Sequence, residues 1–336
     1  MSFIRISREN FFHNISQIAR KTQSVEKIAL VLKDNAYGHG LVLMADLAKE
    51  AGVRHAVVRT MAEAEAVAEG FETVLVLADI PARRPETNIH IAINDWRQIE
   101  KIPEGTRVEL KVDTGMHRNG ILPEEVMEAV EKVDRRGLLL RGIMTHYRSA
   151  DEMGSEFFWQ RKRFEAVRAS VERAGVGPLR WHSCNSAALF RTERFDEDIA
   201  RVGIAAYGCL RMPAAFKTPP LKPVMSLWAE RVSTRRLGGG ARIGYGGEGS
   251  LPEGGTVSTY DIGYGDGWYR GDASAPYRLP DGRKVVGRVS MDLLSVEGDD
   301  EKICLFEDAN EAAAQFGTIG YDILVKLHPS IPRIAV

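Results

Sequence analysis

Short apolar runs alternate with helical periodicity along the first two thirds of the chain. KIALVLK (27–33) leads to LVLMADLAKEAG (41–52), and HAVVRT (55–60), ETVLVLAD (72–79), IHIAIN (89–94), RVELKVDT (107–114), LLLRGIMTHY (138–147), LRWHSC (179–184) and IARVGIAAYG (199–208) continue the series to eight strands. Between them, Val126, Val130 and Val133 fall at i, i+4 and i+7, and Phe157, Phe164, Val167 and Val171 share one helical face. Strands alternating with helices imply βα units and a parallel sheet, and eight units close into a TIM-type (β/α)8 barrel. A doubly wound open sheet is the alternative arrangement of the same units. Past about residue 210 the texture changes: FKTPPLKPV (216–224) is linker-like, and β-rich runs separated by turns such as LPEGG and LPDGR follow. The pattern therefore predicts a barrel over 1–215 and a mostly β domain over 216–336.

At 336 residues the chain is long enough for two cores. Its 45 Lys+Arg against 46 Asp+Glu leave no field to recruit nucleic acid or an anionic membrane, which points to a small-molecule partner. Cys184, Cys209 and Cys304 are odd in number and form no CxxC pair, so neither a disulfide framework nor a zinc site is expected, and a reducing cytoplasm fits. MSFIRISRENFFHN carries a charge every few residues, unlike a signal peptide, and no run approaches 18 apolar residues. The chain reads as soluble, cytoplasmic and unprocessed. GYGGEG (244–249) matches the dinucleotide fingerprint GxGxxG, but turn and strand residues follow it where a helix is required, so that match is rejected.

In a TIM barrel, chemistry gathers where the strands end. Those ends are rich here. Lys33 closes the first strand, Lys111, Asp113 and Arg118 lie in or after the fifth, His146 ends the sixth, and His182 sits in the seventh, followed by Asn185 and Ser186. The eighth carries Arg201 and runs into Gly203 and Ile204. A strand-end lysine whose pKa is lowered by burial can form a Schiff base with a carbonyl. For an arbitrary lysine a salt bridge is the commoner role, but three neighbours favour the first reading. Ser186 at a helix start and the Gly203 and Ile204 amides can hold a phosphate, and Arg201 can face a ring nitrogen. Together they sketch a pyridoxal phosphate (PLP) site without a metal. His13, His55, His90 and His328 receive no role.

KDNAYGHG, LKVDTGMHRNG, THYRSADE, HSCNSAALF, ARVGIAAYG, RIGYGG, IGYGDGWYR and VGRVSMD occur in the order and spacing of alanine racemases, and the chain resembles that family from residue 33 to 292. The resemblance implies a fold-type III PLP enzyme: a cofactor-holding barrel, a C-terminal β domain, and a homodimer in which each β domain helps close the partner's barrel. It implies that Lys33 binds PLP and serves one face of the substrate, while Tyr245, from the other subunit, serves the opposite face. It further implies Arg118 for the alanine carboxylate, with Met291 nearby. Tyr37, Ser186, Gly203 and Ile204 take the PLP phosphate, and His146 and Asn185 stand beside the cofactor. Arg201 faces the ring nitrogen, supported by His182. Tyr264, Asp151 and Asp292 line the entrance, and Lys111 occupies a position that is carboxylated in many relatives and steadies Arg118.

The expected activity is racemisation of L- and D-alanine, supplying D-alanine for peptidoglycan. A racemase of broader specificity and a non-catalytic PLP-binding barrel are the alternatives. The second resembles the barrel alone, so Tyr245 and the extra domain count against it. One departure stands out: relatives commonly carry a phosphate-binding tyrosine shortly before a final PR, where LHPSIPRIAV has Pro329, which lacks a donor. Ser290, where many relatives have cysteine, is a second and milder one.

Overall fold

A computed structural model describes residues 1–217 and 219–336 and divides the chain into two compact units. One comprises Phe12–Ala36 and Leu41–Leu221; the other comprises Met1–Phe11, Tyr37–Gly40 and Lys222–Val336. Thr218, in the linker-like FKTPPLKPV, lies outside the described residues.

The first strand of the chain, β1 (Phe3–Ile6), belongs to the second of these units. The eight-stranded sheet of the larger unit follows: β2 (Ile28–Val31), β3 (His55–Val58), β4 (Thr73–Val76), β5 (Ile89–Ile93), β6 (Arg107–Lys111), β7 (Leu139–Met144), β8 (Arg180–His182) and β9 (Ala200–Val202). Each pairs in parallel with its successor from β2 to β8, and β9 returns beside β2. The seam between β8 and β9 has no ladder. It is crossed by Asp198 N to Trp181 O (3.2 Å), Arg201 N to Cys184 O (2.9 Å) and Trp181 N to the Asp198 carboxylate (2.7 Å). The result is a nearly closed (β/α)8 barrel rather than an open sheet.

Burial follows from this closure. All four residues of β2 and all five of β5 are buried, because side chains on both faces meet packed neighbours. Helices cover the outside through their apolar stripes: Leu41–Glu50 buries Met44, Ala45, Leu47 and Ala48, and Glu156–Arg173 buries Phe157, Phe164, Val167 and Val171. Each of the eight expected runs contains one strand, but the strands are shorter, with their C-terminal residues released into loops. Two residues expected at strand ends lie just beyond them: Lys33 follows the end of β2 and His146 follows the end of β7.

The other unit is built on β10 (Met225–Leu237), β11 (Arg242–Ile243), β12 (Gly249–Ser250), β13 (Gly255–Tyr260), β14 (Leu294–Glu297), β15 (Lys302–Phe306) and β16 (Arg333–Ala335). The 13-residue β10 pairs with β1 and β15 along its first half and with β13 along its second, with an irregularity between Arg231 and Ser233. Its core centres on Trp268, stacked on Phe306 (6.1 Å between ring centres) and edge-on to Tyr277 and Phe316. Two short helices, Ala309–Phe316 and Gly320–Lys326, interrupt an otherwise β domain. Among the described residues, no helix is long and apolar enough to cross a membrane.

Candidate active site

The chain leaves β2 in an unusual way. Leu32 N still bonds Val57 O (2.8 Å), extending the ladder by one residue, and Lys33 follows. Asp34, Asn35, Ala36 and Tyr37 then take φ values of 54°, 56°, 53° and 53°, a left-handed turn made of non-glycine residues. Each such residue costs about 1–2 kcal/mol, somewhat less for Asp and Asn, so the turn persists only because other bonds hold it. Asp34 N donates to Glu63 Oε1 (2.7 Å), Ala36 N to Leu32 O (2.7 Å), and Leu41 N to Asn35 Oδ1 (2.8 Å). Glu63 also caps its own helix, taking Arg59 N (2.7 Å) and Thr60 N (3.2 Å). Within the C-terminal unit, the Tyr37 ring lies 5.8 Å from that of Tyr321. Gly38 sits at φ 78°, where a Cβ would come within 2.0 Å of Leu324 O, so glycine is required. The half-exposed Lys33 ammonium is 3.6 Å from the Asp34 carboxylate.

The other barrel ends gather cations. Lys111, the last residue of β6, donates to Asn119 Oδ1 (2.5 Å), and Asn119 Nδ2 donates to Asn94 Oδ1 (2.9 Å). The loop carrying Arg118 is pinned by Asp113 Oδ1, which accepts from Gly115 N and His117 N, both at 3.0 Å. Burial pushes Lys111 down to about 8, with Arg118 and Arg201 adding to the push. Burial pushes His146 down to about 3, reinforced by Arg201, Lys111, Arg118 and Lys33. Four permanent or potential cations thus crowd one imidazole.

Arg201, in the middle of β9, is buried and fully engaged on one edge. Nη1 donates to His182 Nδ1 (2.8 Å) and His182 O (2.9 Å), and Nη2 donates to Thr145 O (2.6 Å) and Ser183 O (3.2 Å). His182 Nε2 in turn lies 2.6 Å from Glu109 Oε2, and the other oxygen of Glu109 lies 2.7 Å from His90 Nδ1. Beside these, Ser186 Oγ accepts from Gly203 N (3.1 Å) and Ala205 N (3.3 Å), and Asn185 Oδ1 caps the helix Ser186–Arg191 through Ala188 N (2.9 Å). The structure thus brings Ser186, Gly203 and Ile204 onto one rim segment, next to Arg201. A phosphate-bearing aromatic aldehyde fits this set: a lysine for the carbonyl, hydroxyl and amide groups for the phosphate, and excess positive charge for an anion.

Asp151 lies exposed on the loop after β7, which Arg191 ties down through the carbonyls of Ser149 (2.9 Å), Glu152 (2.7 Å) and Gly154 (2.5 Å). The remaining expected residues belong to the other unit. Tyr245, 66% exposed, occupies the turn between β11 and β12. A Cβ on Gly249 of that hairpin would meet Gly287 N at 2.6 Å, and Glu248 bonds Arg288. The Tyr264 turn packs on the continuation of the same segment, through Tyr264 N to Ser290 O (3.1 Å) and Gly265 N to Met291 O (2.7 Å). Tyr245, Tyr264, Met291 and Asp292 therefore sit on adjoining loops. No helix follows GYGGEG. At the C-terminus, Arg333 Nη1 draws in the carbonyls of His328 (2.8 Å) and Pro329 (2.9 Å), so Pro329 takes part through its backbone alone.

Sequence reasoning missed Glu63 and Glu109 and found no partner for several histidines. His55 Nδ1 pairs with Thr73 Oγ1 (2.8 Å), His13 with Pro220 O (2.8 Å) and His328 with Ser330 Oγ (2.7 Å), none of them at a strand's C-terminal end. Glu109 had a signal: it stands two residues before Lys111 in β6, so both point to the same face of the strand.

The depressed imidazoles predict acid sensitivity. Burial, against the pull of Glu109, pushes the wholly buried His182 down to about 4. Between that value and the unfolded 6.5, the unfolded chain binds a proton that the folded chain refuses. Stability therefore falls as pH drops through this window, at about 1.4 kcal/mol per pH unit for each such group. His146 adds the same sign. Burial alone would raise Glu109, but His182, His90 and Arg180 hold it well below the usual carboxylate range, which extends the loss to lower pH. Calorimetry on the PLP-loaded protein should show Tm falling steadily from about pH 6.5 to 4; a flat Tm over that range would contradict the neutral assignment.

Comparison with known proteins identifies the family. The family model for the N-terminal domain of alanine racemase matches residues 6–211, and that for the C-terminal domain matches residues 224–335. The alanine racemase of a Nitratiruptor species is 41% identical over 337 residues, covering 99% of each chain. That of Campylobacter curvus is 43% identical over 340 residues, again covering 99% of each. Among solved structures, alanine racemase from Bacillus anthracis with bound L-Ala-P has a TM-score of 0.87 at 25% identity, covering 100% of this chain and 95% of that one. Alanine racemase from Streptomyces coelicolor has a TM-score of 0.87 at 28% identity, covering 100% and 98%.

Proposed function

The chain belongs to the alanine racemase family of PLP-dependent isomerases, and from that premise we propose that it interconverts L- and D-alanine by a two-base mechanism in a cytoplasmic homodimer, supplying D-alanine for peptidoglycan. The observation that supports this reading is that Lys33, Arg118, His146 and Ser186 all lie in the segments that follow the C-terminal ends of barrel strands, with Arg201 inside β9.

Inverting Cα means removing a proton from one face and returning one to the other, so two opposed acid–base groups are needed. Lys33 Nζ serves one face. The exposed Tyr245 hydroxyl, donated by a second copy of the chain, serves the other. Bound PLP supplies the electron sink that stabilises the charge left at Cα. Lys33 would hold the cofactor, Tyr37, Ser186, Gly203 and Ile204 would hold its phosphate, and His146 and Asn185 would flank it. Arg201 would hold the ring nitrogen of the bound cofactor; a guanidinium only donates, so it would leave that nitrogen unprotonated and make the cofactor a weaker electron sink, which would limit transamination.

Arg118 takes the substrate carboxylate, with Met291 presenting its backbone nearby. Lys111, with its pKa brought down to about 8, offers the neutral amine that carboxylation requires. The added negative charge would lie close to Arg118. Tyr264, Asp151 and Asp292 form the entrance. The test is circular dichroism of L-alanine solutions with the protein, with and without added PLP, beside L-serine and other L-amino acids. Alanine is expected to racemise fastest; a PLP-loaded protein that leaves L-alanine unchanged would overturn the reading.

A further inference from the structure

We propose that Glu109 is a positioning residue for racemisation: it fixes the tautomer of His182 and thereby the placement of the Arg201 guanidinium. The proposal rests on the reading that Arg201 faces the cofactor ring. A guanidinium carries only donors, so the contact of 2.8 Å between Arg201 Nη1 and His182 Nδ1 requires a lone pair on Nδ1. The single ring proton must then sit on Nε2, where it meets Glu109 Oε2 at 2.6 Å. An ionised carboxylate only accepts, so His90 presents Nδ1–H to Oε1 at 2.7 Å. One carboxylate thus fixes the tautomers of two imidazoles.

The site is built for this. Glu109 is completely buried, and Gly142 of the neighbouring β7 leaves room for it: a Cβ there would come within 3.3 Å of Glu109 Cδ and 2.9 Å of Arg180 O. Arg180 Nη2 stands 3.9 Å from Oε1. The other carboxylates near this corner of the barrel are committed elsewhere: Asp113 Oδ1 to two amides of its own loop, and Glu197 to Ser183 N (2.6 Å) and Cys184 N (3.1 Å) through Oε2 and to the Ser183 hydroxyl through Oε1. Glu109 is therefore the anion that reaches Arg201 through a neutral imidazole. Without it, the Nε2 proton loses its acceptor. The other tautomer would set an Nδ1–H against the Arg201 N–H, donor against donor.

The experiment compares wild-type holoenzyme with Glu109→Gln and Glu109→Leu. Long-range 15N–1H correlation of His182 should show Nε2–H in the wild type; an Nδ1–H or doubly protonated ring overturns the proposal without bearing on the role of Arg201. Glu109→Leu should release PLP more readily and lower kcat, each by about tenfold, with KM for alanine nearly unchanged, because Arg118 is untouched. Glu109→Gln should recover most of both, since its amide oxygen can still accept from Nε2–H. If folded Glu109→Leu keeps wild-type kcat and PLP retention, or if Gln is as impaired as Leu, the positioning role fails. If Leu does not fold, the wild-type tautomer and the Gln variant still decide. Failure of the Arg201 reading would show separately, as unchanged PLP absorption and affinity in Arg201→Lys with the His182 tautomer intact.

Discussion

Lys33→Ala is expected to lose racemisation by at least about 10⁴-fold, because on the proposed two-base reading it removes both the covalent anchor of the cofactor and the acid–base group of one substrate face. Compared with the wild type without cofactor, its Tm should barely move. The Lys33 side chain is half-exposed, and its ion pair with Asp34, at 3.6 Å and equally open to solvent, is of the kind that contributes little to stability. The turn that presents Lys33 is held instead by backbone bonds to Glu63, Leu32 and Asn35, none of which needs the amine. Borohydride reduction followed by peptide mapping should place the reduced cofactor on Lys33 in the wild type and nowhere in the variant. Substantial activity in a PLP-loaded Lys33→Ala protein would sink the assignment.

The barrel was legible in the sequence because its strands and helices have different periods and alternate along most of its length; among the described residues only the step from β4 to β5 carries no helix. Strand lengths were harder to read. IARVGIAAYG looks like ten residues of strand, yet only Ala200–Val202 pair, because the Ser186 hydroxyl takes the Gly203 and Ala205 amides away from any ladder. That competition comes from a residue 17 positions upstream of Gly203, and no local pattern records it. β1 was missed for a related reason. FIRI is four residues long, and its partners, near Trp228 and Arg333, lie more than two hundred positions away.

Candidate residues at strand ends could be listed in advance, because the barrel's topology places strand ends on one face. What could not be read was how they are held. KDNAYGHG suggests a crowded turn, but nothing in it says that four residues adopt left-handed angles, or that the carboxylate capping a different helix supplies the bond at Asp34 N. Thr60 and Glu63 do show the capping-box spacing; the second use of the same carboxylate is a tertiary fact. Glu109 is the opposite case. A charged residue on the inward face of an apolar strand demands a partner, and His90 and His182 were both in view.

Tyr245→Phe is expected to lower racemisation by about 10²–10⁴-fold while leaving the fold intact, since the ring is 66% exposed and loses only its hydroxyl. On the two-base reading, with Lys33 present, one face of the substrate keeps its acid–base group. In deuterium oxide, one enantiomer of alanine should therefore still exchange its α-proton without inverting, and the other should not. A sharper result comes from mixing subunits. If each site combines Lys33 of one chain with Tyr245 of another, Lys33→Ala and Tyr245→Phe homodimers are both crippled, but every mixed dimer holds one site with both groups intact. Random re-pairing of equal amounts puts half the dimers in mixed form, so about a quarter of all sites should regain full activity. If the two groups come from the same chain, no intact site can form, and the mixture will show only the residual activities of its components.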